Sequence, residues 1–147
     1  MDVDEQEAAR LHHLLMDLVR NSGLLQPERV DGGHAISLSQ AFALHELDTE
    51  PPLSQQDLAR RLNLEKSSVS RLAAELERAG LLTRERDPAN QRWYRLRLTE
   101  QGRTLHREMG VAFHRHYERW VAAMTPPERS ALLTGLPALV RVMREVR

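Results

Sequence analysis

Ser67, Ser70, Arg71, Ala74 and Arg78 recur at spacings of three and four within the stretch Glu65 to Ala79. A helix over that stretch sets them on one side, small, hydroxylated or basic, with nothing bulky or apolar among them. Hydroxyls and the free N–H groups of a helix N-terminus bind phosphate, and an arginine can bridge guanine N7 and O6. The chemistry such a face offers is therefore recognition of duplex DNA through the major groove. An ordinary solvated helix face has the same pattern, so the elements around it must decide.

Val69, Leu72, Ala73 and Leu76 form the opposite stripe of that helix, and a stripe of this kind must face protein. Before it, Ser54 followed by Asp57 is a helix start, and Leu58, Ala59 and Leu62 give the short helix an apolar edge. Asn63 and Leu64 supply the turn between the two helices. Gly80 is free to take the left-handed conformation that ends the second one. Beyond it lies a run with Arg84-Glu85-Arg86, a turn by composition at Asp87-Pro88-Ala89-Asn90, and a second run in which Arg95 and Arg97 alternate with Leu96 and Leu98. Helix, turn, helix and a basic hairpin in this order make a winged helix-turn-helix, with the hairpin as a wing on a phosphate backbone.

The residues from Lys66 to Gly102 resemble the MarR family of bacterial transcription regulators. Leu76-Glu77, Gly80-Leu81, Asp87-Pro88, Arg92, Leu98-Thr99 and Gly102 match its signature in type and spacing. The resemblance implies a mainly α fold with a small β wing, a winged helix-turn-helix carrying N- and C-terminal dimerisation helices. It implies one domain over 1–147, with 37–103 as the DNA-binding region and 1–36 and 104–147 as dimerisation helices. Ser67, Ser68, Ser70 and Arg71 become the major-groove set, with Lys66 on a phosphate. Arg92 takes the wing-tip position that enters the minor groove, with Glu65 placed to hold it. Arg84, Arg86, Arg95 and Arg97 contact the DNA backbone or support the hairpin. The tip reads Asn90-Gln91-Arg92 where the family carries acid, base and arginine. Trp93 and Tyr94 are large for the start of a return strand, to pack under the wing or to lie on sugar or base edges.

The family also implies the partners: a pseudo-palindromic double-stranded operator, a second copy of the chain, and a small, often aromatic effector whose binding releases a repressor. By position, His13, His45, Phe113 and Trp120 are the candidate effector residues. The alternative is an architectural or protein-interaction module with no effector.

Composition is compatible with this reading. The formal net charge is zero, but residues 1–53 hold 3 basic and 10 acidic side chains, 54–103 hold 11 and 7, and 104–147 hold 7 and 4. The positive charge lies where the motif lies, which predicts strong salt dependence through counterion release. The absence of cysteine excludes disulfides and thiolate chemistry. No apolar run approaches the length of a membrane span, and the acidic start is unlike a signal peptide, so a soluble cytoplasmic protein is expected. Seven histidines include no pair at i, i+4, and no metal or other cofactor is expected. No nucleophile elbow or phosphate-binding glycine loop occurs, so no enzyme is expected.

The flanks read as helices. One runs from about Glu5 to Arg20 with Leu11, Leu14, Leu15 and Leu18 along one side. Residues 24–33, with Pro27 and two glycines, read as a loop. Ser37 or Ser39 caps a helix carrying Phe42 and Leu47. Thr99 caps a long helix reaching about Met124, in which Gly110 marks a bend or a close contact. Thr125-Pro126-Pro127-Glu128 starts the last helix, with Pro137 expected to kink it. The leucine-rich end helices either cover a monomer core or interleave with those of a second subunit.

Overall fold

The computed structural model describes residues 4–23, 28–30, 34–49 and 51–146. In chain order the elements are α1 (Glu5–Asn21), β1 (Glu28–Val30), β2 (His34–Ile36), α2 (Leu38–Leu47), β3 (Leu53–Ser54), α3 (Gln55–Leu62), α4 (Lys66–Arg78), β4 (Leu82–Arg86), β5 (Tyr94–Leu98), α5 (Glu100–Ala123) and α6 (Pro126–Glu145). Two compact units divide the chain within α5, residues 1–106 and residues 107–147. No helix among the described residues is long and apolar enough to cross a membrane.

The helix starts follow the local rules. The Asp57 N–H donates to Ser54 Oγ at 2.9 Å to cap α3. Ser37 and Gln40 form a reciprocal capping box on α2, as Thr125 and Glu128 do on α6. Asp4 caps α1. At the other end of α3, Asn63 adopts the left-handed conformation (φ 58°). A short polar side chain tolerates that geometry, and it makes the sharp turn into α4.

Residues 28–30 pair antiparallel with 34–36, with Glu28 opposite Ile36. The loop expected over 24–33 thus contains a strand at 28–30, while 24–27 and 31–33 lie outside the described residues. Three residues cannot show an alternation, so the pairing left no periodic trace in the sequence. A second short strand was hidden for the same reason. Leu53 and Ser54 pair with Leu96 and Arg95, and the wing becomes a three-stranded sheet ordered β3-β5-β4.

The core of the first unit is drawn from α2, α3, α4 and the sheet. Leu44, Leu58, Val69, Leu76, Leu82 and Leu96 are its fully buried large side chains. Each contributes about 1.5–3 kcal/mol by leaving water. In α2 the buried residues are Ala43, Leu44 and Leu47, whereas Phe42, noted with Leu47 in the sequence, is exposed. Ala43 and Leu44 lie four and three residues before Leu47 and share its side of the helix, whereas Phe42, five residues before it, turns away.

The signature glycines do different work. Gly80 (φ +75°) ends α4: its N–H bonds Glu77 O at 3.0 Å and the Leu81 N–H bonds Leu76 O at 2.9 Å, a Schellman arrangement. Gly102 is a close approach, because a Cβ there would stand 2.1 Å from the Leu81 carbonyl oxygen. Thr99 completes the junction, donating its hydroxyl to Gly80 O at 2.6 Å, its N–H to Leu81 O at 3.1 Å, and accepting from the Gly102 N–H. The start of α5 is thereby clamped to the end of α4. By contrast a Cβ at Gly110 would meet nothing within 4 Å, so no close contact requires that glycine. Pro137 does not end α6, which continues to Glu145.

Candidate nucleic-acid interface

Helix α4 is oriented as its two stripes require. Val69, Leu72, Ala73 and Leu76 are buried. Lys66, Ser67, Ser68, Arg71 and Arg78 are exposed, and Ser70 is half-buried beside them. Glu65 occupies the cap position with extended backbone but makes no side-chain cap bond. The first-turn N–H groups of α4 therefore carry no side-chain acceptor, and the positive end of the helix dipole faces outward with two serines and a lysine around it. Among the described residues, no ion pair or hydrogen bond engages the side chains of Lys66, Arg71, Arg78 or Arg92.

The wing's cations behave differently. Arg84 donates through Nε and Nη2 to Glu77 Oε1 at 3.3 and 3.2 Å, and its backbone N–H bonds Glu77 Oε2, so it ties β4 to α4. Arg86 donates to Gln91 O at 2.8 Å and lies over the Tyr94 ring, 4.3 Å from its centre, while Arg84 lies 5.1 Å from the same ring. Arg95 pairs with Asp87 at 3.2 Å across the hairpin. Arg84, Arg86 and Arg95 thus brace the hairpin, whereas Arg92 at the tip is exposed. Glu65 and Arg92, expected to pair, form no bond with each other.

Asp87 organises the tip. Its carboxylate accepts the Ala89 N–H at 2.8 Å, and its own N–H bonds Trp93 O at 2.8 Å. The Ala89 hydrogen bond, opposed in part by desolvation and supported by the Arg95 guanidinium, holds its carboxyl below the usual carboxylate range. Asp87-Pro88 is therefore a structural turn, with Pro88 favouring its bend and Asp87 closing it. The Trp93 ring is half-exposed, at 49%. Tyr94 is half-buried between Arg84 and Arg86. Tyr94 is thus the packed aromatic of the two and Trp93 the exposed one.

Of the effector candidates, His13 lies on α1 with its ring 5.8 Å from that of His12. His45 instead meets His106, Nδ1 to Nε2 at 3.2 Å, and His106 Nδ1 bonds Asp48 Oδ2 at 2.7 Å. With the carboxylate as acceptor, His106 Nδ1 carries the proton and neutral His106 accepts from His45. This chain of three groups joins the end of α2 to the start of α5, and the sequence reading missed it because Asp48 and His106 are far apart in the chain. In the second unit Phe113 stacks on Tyr117, whose ring is edge-on to Trp120 at 5.6 Å. Among the described residues no group of three or more histidines and carboxylates is placed to hold a metal ion.

Known proteins share this arrangement. The MarR family model matches residues 36–93. YdgJ, an HTH-type transcriptional regulator of Bacillus subtilis (strain 168), is 31% identical over 101 residues, 69% of this chain and 62% of YdgJ, so the match spans less than two thirds of that relative. FabT of Streptococcus pneumoniae, solved in complex with DNA, has the same fold: TM-score 0.82 at 20% identity, covering 95% of this chain and 99% of FabT. The PcaV transcriptional regulator of Streptomyces coelicolor, solved with its natural ligand, is 25% identical with a TM-score of 0.65, covering 96% of each chain. The family match falls on the helices and wing just described, so residues 36–93 form a MarR-family domain, and the fold is shared with FabT across nearly the whole length.

Proposed function

We propose that this protein is a sequence-specific DNA-binding transcription regulator acting as a homodimer, a repressor released by a small effector. The observation that carries the reading is the outward face of α4: exposed Ser67, Ser68 and Arg71, an uncapped helix N-terminus, and unpaired Lys66 and Arg92 on the same side as the wing. Arg71 reads a base edge, Ser67, Ser68 and Ser70 contact phosphate or base edges, Lys66 binds a phosphate and Arg92 enters the minor groove. Arg84, Arg86 and Arg95 keep the hairpin rigid enough to aim Arg92.

A pseudo-palindromic operator needs two reading heads about 34–36 Å apart, one turn of duplex. Helices α1 and α6 support the dimer, since neither has a buried residue in the single chain although both carry leucine stripes. The regions 1–36 and 104–147 are thus the dimerisation elements, and 37–103 the reader. Effector control is supported by the likeness to PcaV, solved with its natural ligand. A ligand favouring one spacing of the heads by a few kcal/mol changes operator occupancy by orders of magnitude. A thermal-shift screen of aromatic acids tests that part, because a ligand that binds only the folded dimer raises its melting temperature.

The reading itself is tested on duplexes selected by the protein from a random pool. Arg71→Ala is expected to cost about 1–3 kcal/mol and to relax preference at one base position. Lys66→Ala is expected to weaken all sequences alike and to lower the salt slope by about one. Unchanged titration curves for both variants would remove α4 from the interface.

A further inference from the structure

Trp93 is set unlike its neighbours in the wing. Its backbone is pinned on both sides, the N–H donating to Asn90 O at 3.0 Å and the carbonyl accepting from Asp87 N. Its indole has no ring or cation partner among the described residues, whereas the adjacent Tyr94 carries two guanidinium groups. A large aromatic side chain thus stands on a backbone pinned by the turn and is left half in water.

The indole borders a cleft of about 260 Å³ lined by Gln55, Gln56, Lys66, Arg92, Trp93 and Tyr94. Three elements meet there: the first turn of α3, the first residue of α4, and the return side of the wing. The lining contains two cations without counter-ions among the described residues and no carboxylate. Gln55, whose Oε1 atom is buried without a hydrogen-bond partner, also lines the cleft. The volume falls below the roughly 300–1,000 Å³ typical of small-molecule pockets. Two positive charges beside a flat apolar face complement an anion joined to a compact apolar ring.

We propose that this cleft seats one sugar–phosphate unit of the bound duplex, with Lys66 on the phosphate, Arg92 passing beside it into the minor groove, and the Trp93 indole against the deoxyribose. The inference rests on the DNA-binding reading and adds an aromatic anchor to it. Lys66 and Arg92 supply the salt-dependent part, and Trp93 supplies contact that salt does not screen. Gln56 flanks the same unit from α3.

The test uses the full chain and a duplex it has selected. Trp93 and Trp120 are the two tryptophans, so Trp120→Phe leaves Trp93 as the sole reporter. Its emission is expected to be quenched by the duplex and not by dAMP or inorganic phosphate at equal phosphate concentration. Trp93→Ala is expected to bind the duplex about tenfold more weakly, with the salt slope unchanged and most of the affinity restored in Trp93→Phe. Lys66→Ala lowers the slope instead. If Trp120→Phe fails to fold, the affinity and slope of Trp93→Ala and Trp93→Phe decide alone. Duplex binding with unaltered emission and undiminished affinity in Trp93→Ala overturns the anchor and leaves the DNA reading standing. Equal quenching by dAMP overturns it in favour of a free-nucleotide site. Absence of duplex binding by the unmodified chain overturns the DNA reading itself.

Discussion

Helix α4 and helix α6 carry comparable leucine stripes and meet opposite fates. In α4, Leu76 is 1% exposed and its neighbours on the stripe are buried with it; in α6, Leu133 is 67% exposed and no residue is buried. The reading lobe closes its core with its own helices and sheet, so its apolar face is satisfied inside one chain. The end helices repeat the pattern without that closure. Apolar rows of this length are uncommon on a monomer's surface and mark places where another molecule belongs. On the proposed reading, the lobe that closes its own core is the reading head and the uncovered end helices meet a second copy.

The widest break in that comparison comes from a charge in the end region. Leu133→Asp is expected to give a monomer in analytical ultracentrifugation while the lobe keeps its fold, with operator affinity falling about 10²–10⁴-fold as bivalent contact is lost. A dimer with undiminished affinity would detach Leu133 from the interface. Leu76→Ala strikes the other side of the comparison. It is expected to cost about 2–5 kcal/mol in urea unfolding, since it opens a cavity in a core with no slack. The same truncation at Leu133 should cost much less in the separated monomer.

A smaller effect is expected at the clamp between the reading helix and α5. Gly102→Ala places a methyl group against the Leu81 carbonyl, and a shift of α5 to relieve it should cost about 1–3 kcal/mol. Gly110→Ala, where nothing stands within 4 Å, should stabilise by a few tenths to about 1 kcal/mol. Thermal melts of the two variants in opposite directions would separate packing glycine from incidental glycine.

The smallest effect concerns pH. The fold lowers the pKa of Asp87 through the Ala89 N–H and then Arg95, and of Glu128 through Thr125. Groups depressed in this way stabilise the native state above the unfolded carboxylate value, about 4, and lose that contribution as pH falls through the lower folded value. Melting temperature should therefore decline on acidification through that window, and less steeply in Asp87→Asn, where the wing turn is already weakened. Equal pH dependence in both proteins would show that Asp87 does not act through its charge.

Much of the lobe was legible from residue order because its rules are local. Ser54 three residues before Asp57, the 3–4 repeat of Val69, Leu72, Ala73 and Leu76, Gly80 after the last turn, and the alternation of Leu96 and Leu98 each depend on neighbours within one helical turn or one strand. The hairpin of 28–30 with 34–36 and the third wing strand at Leu53-Ser54 were not legible, since two or three residues carry no period and the pairing partner supplies the stability. Phe42 pointed outward because helix phase is set by what packs on α2.

The sequence by itself determined the helix-turn-helix, the basic hairpin and the amphipathic ends, because propensity, capping and periodicity operate over a few residues. Tertiary structure alone decided which charges remain available. Arg84 is spent on Glu77 and Arg95 on Asp87, Glu65 leaves Arg92 outward, Tyr94 is covered and Trp93 is not. Those outcomes depend on distances between side chains far apart along the chain, and a guanidinium already paired with a carboxylate has less to offer a phosphate.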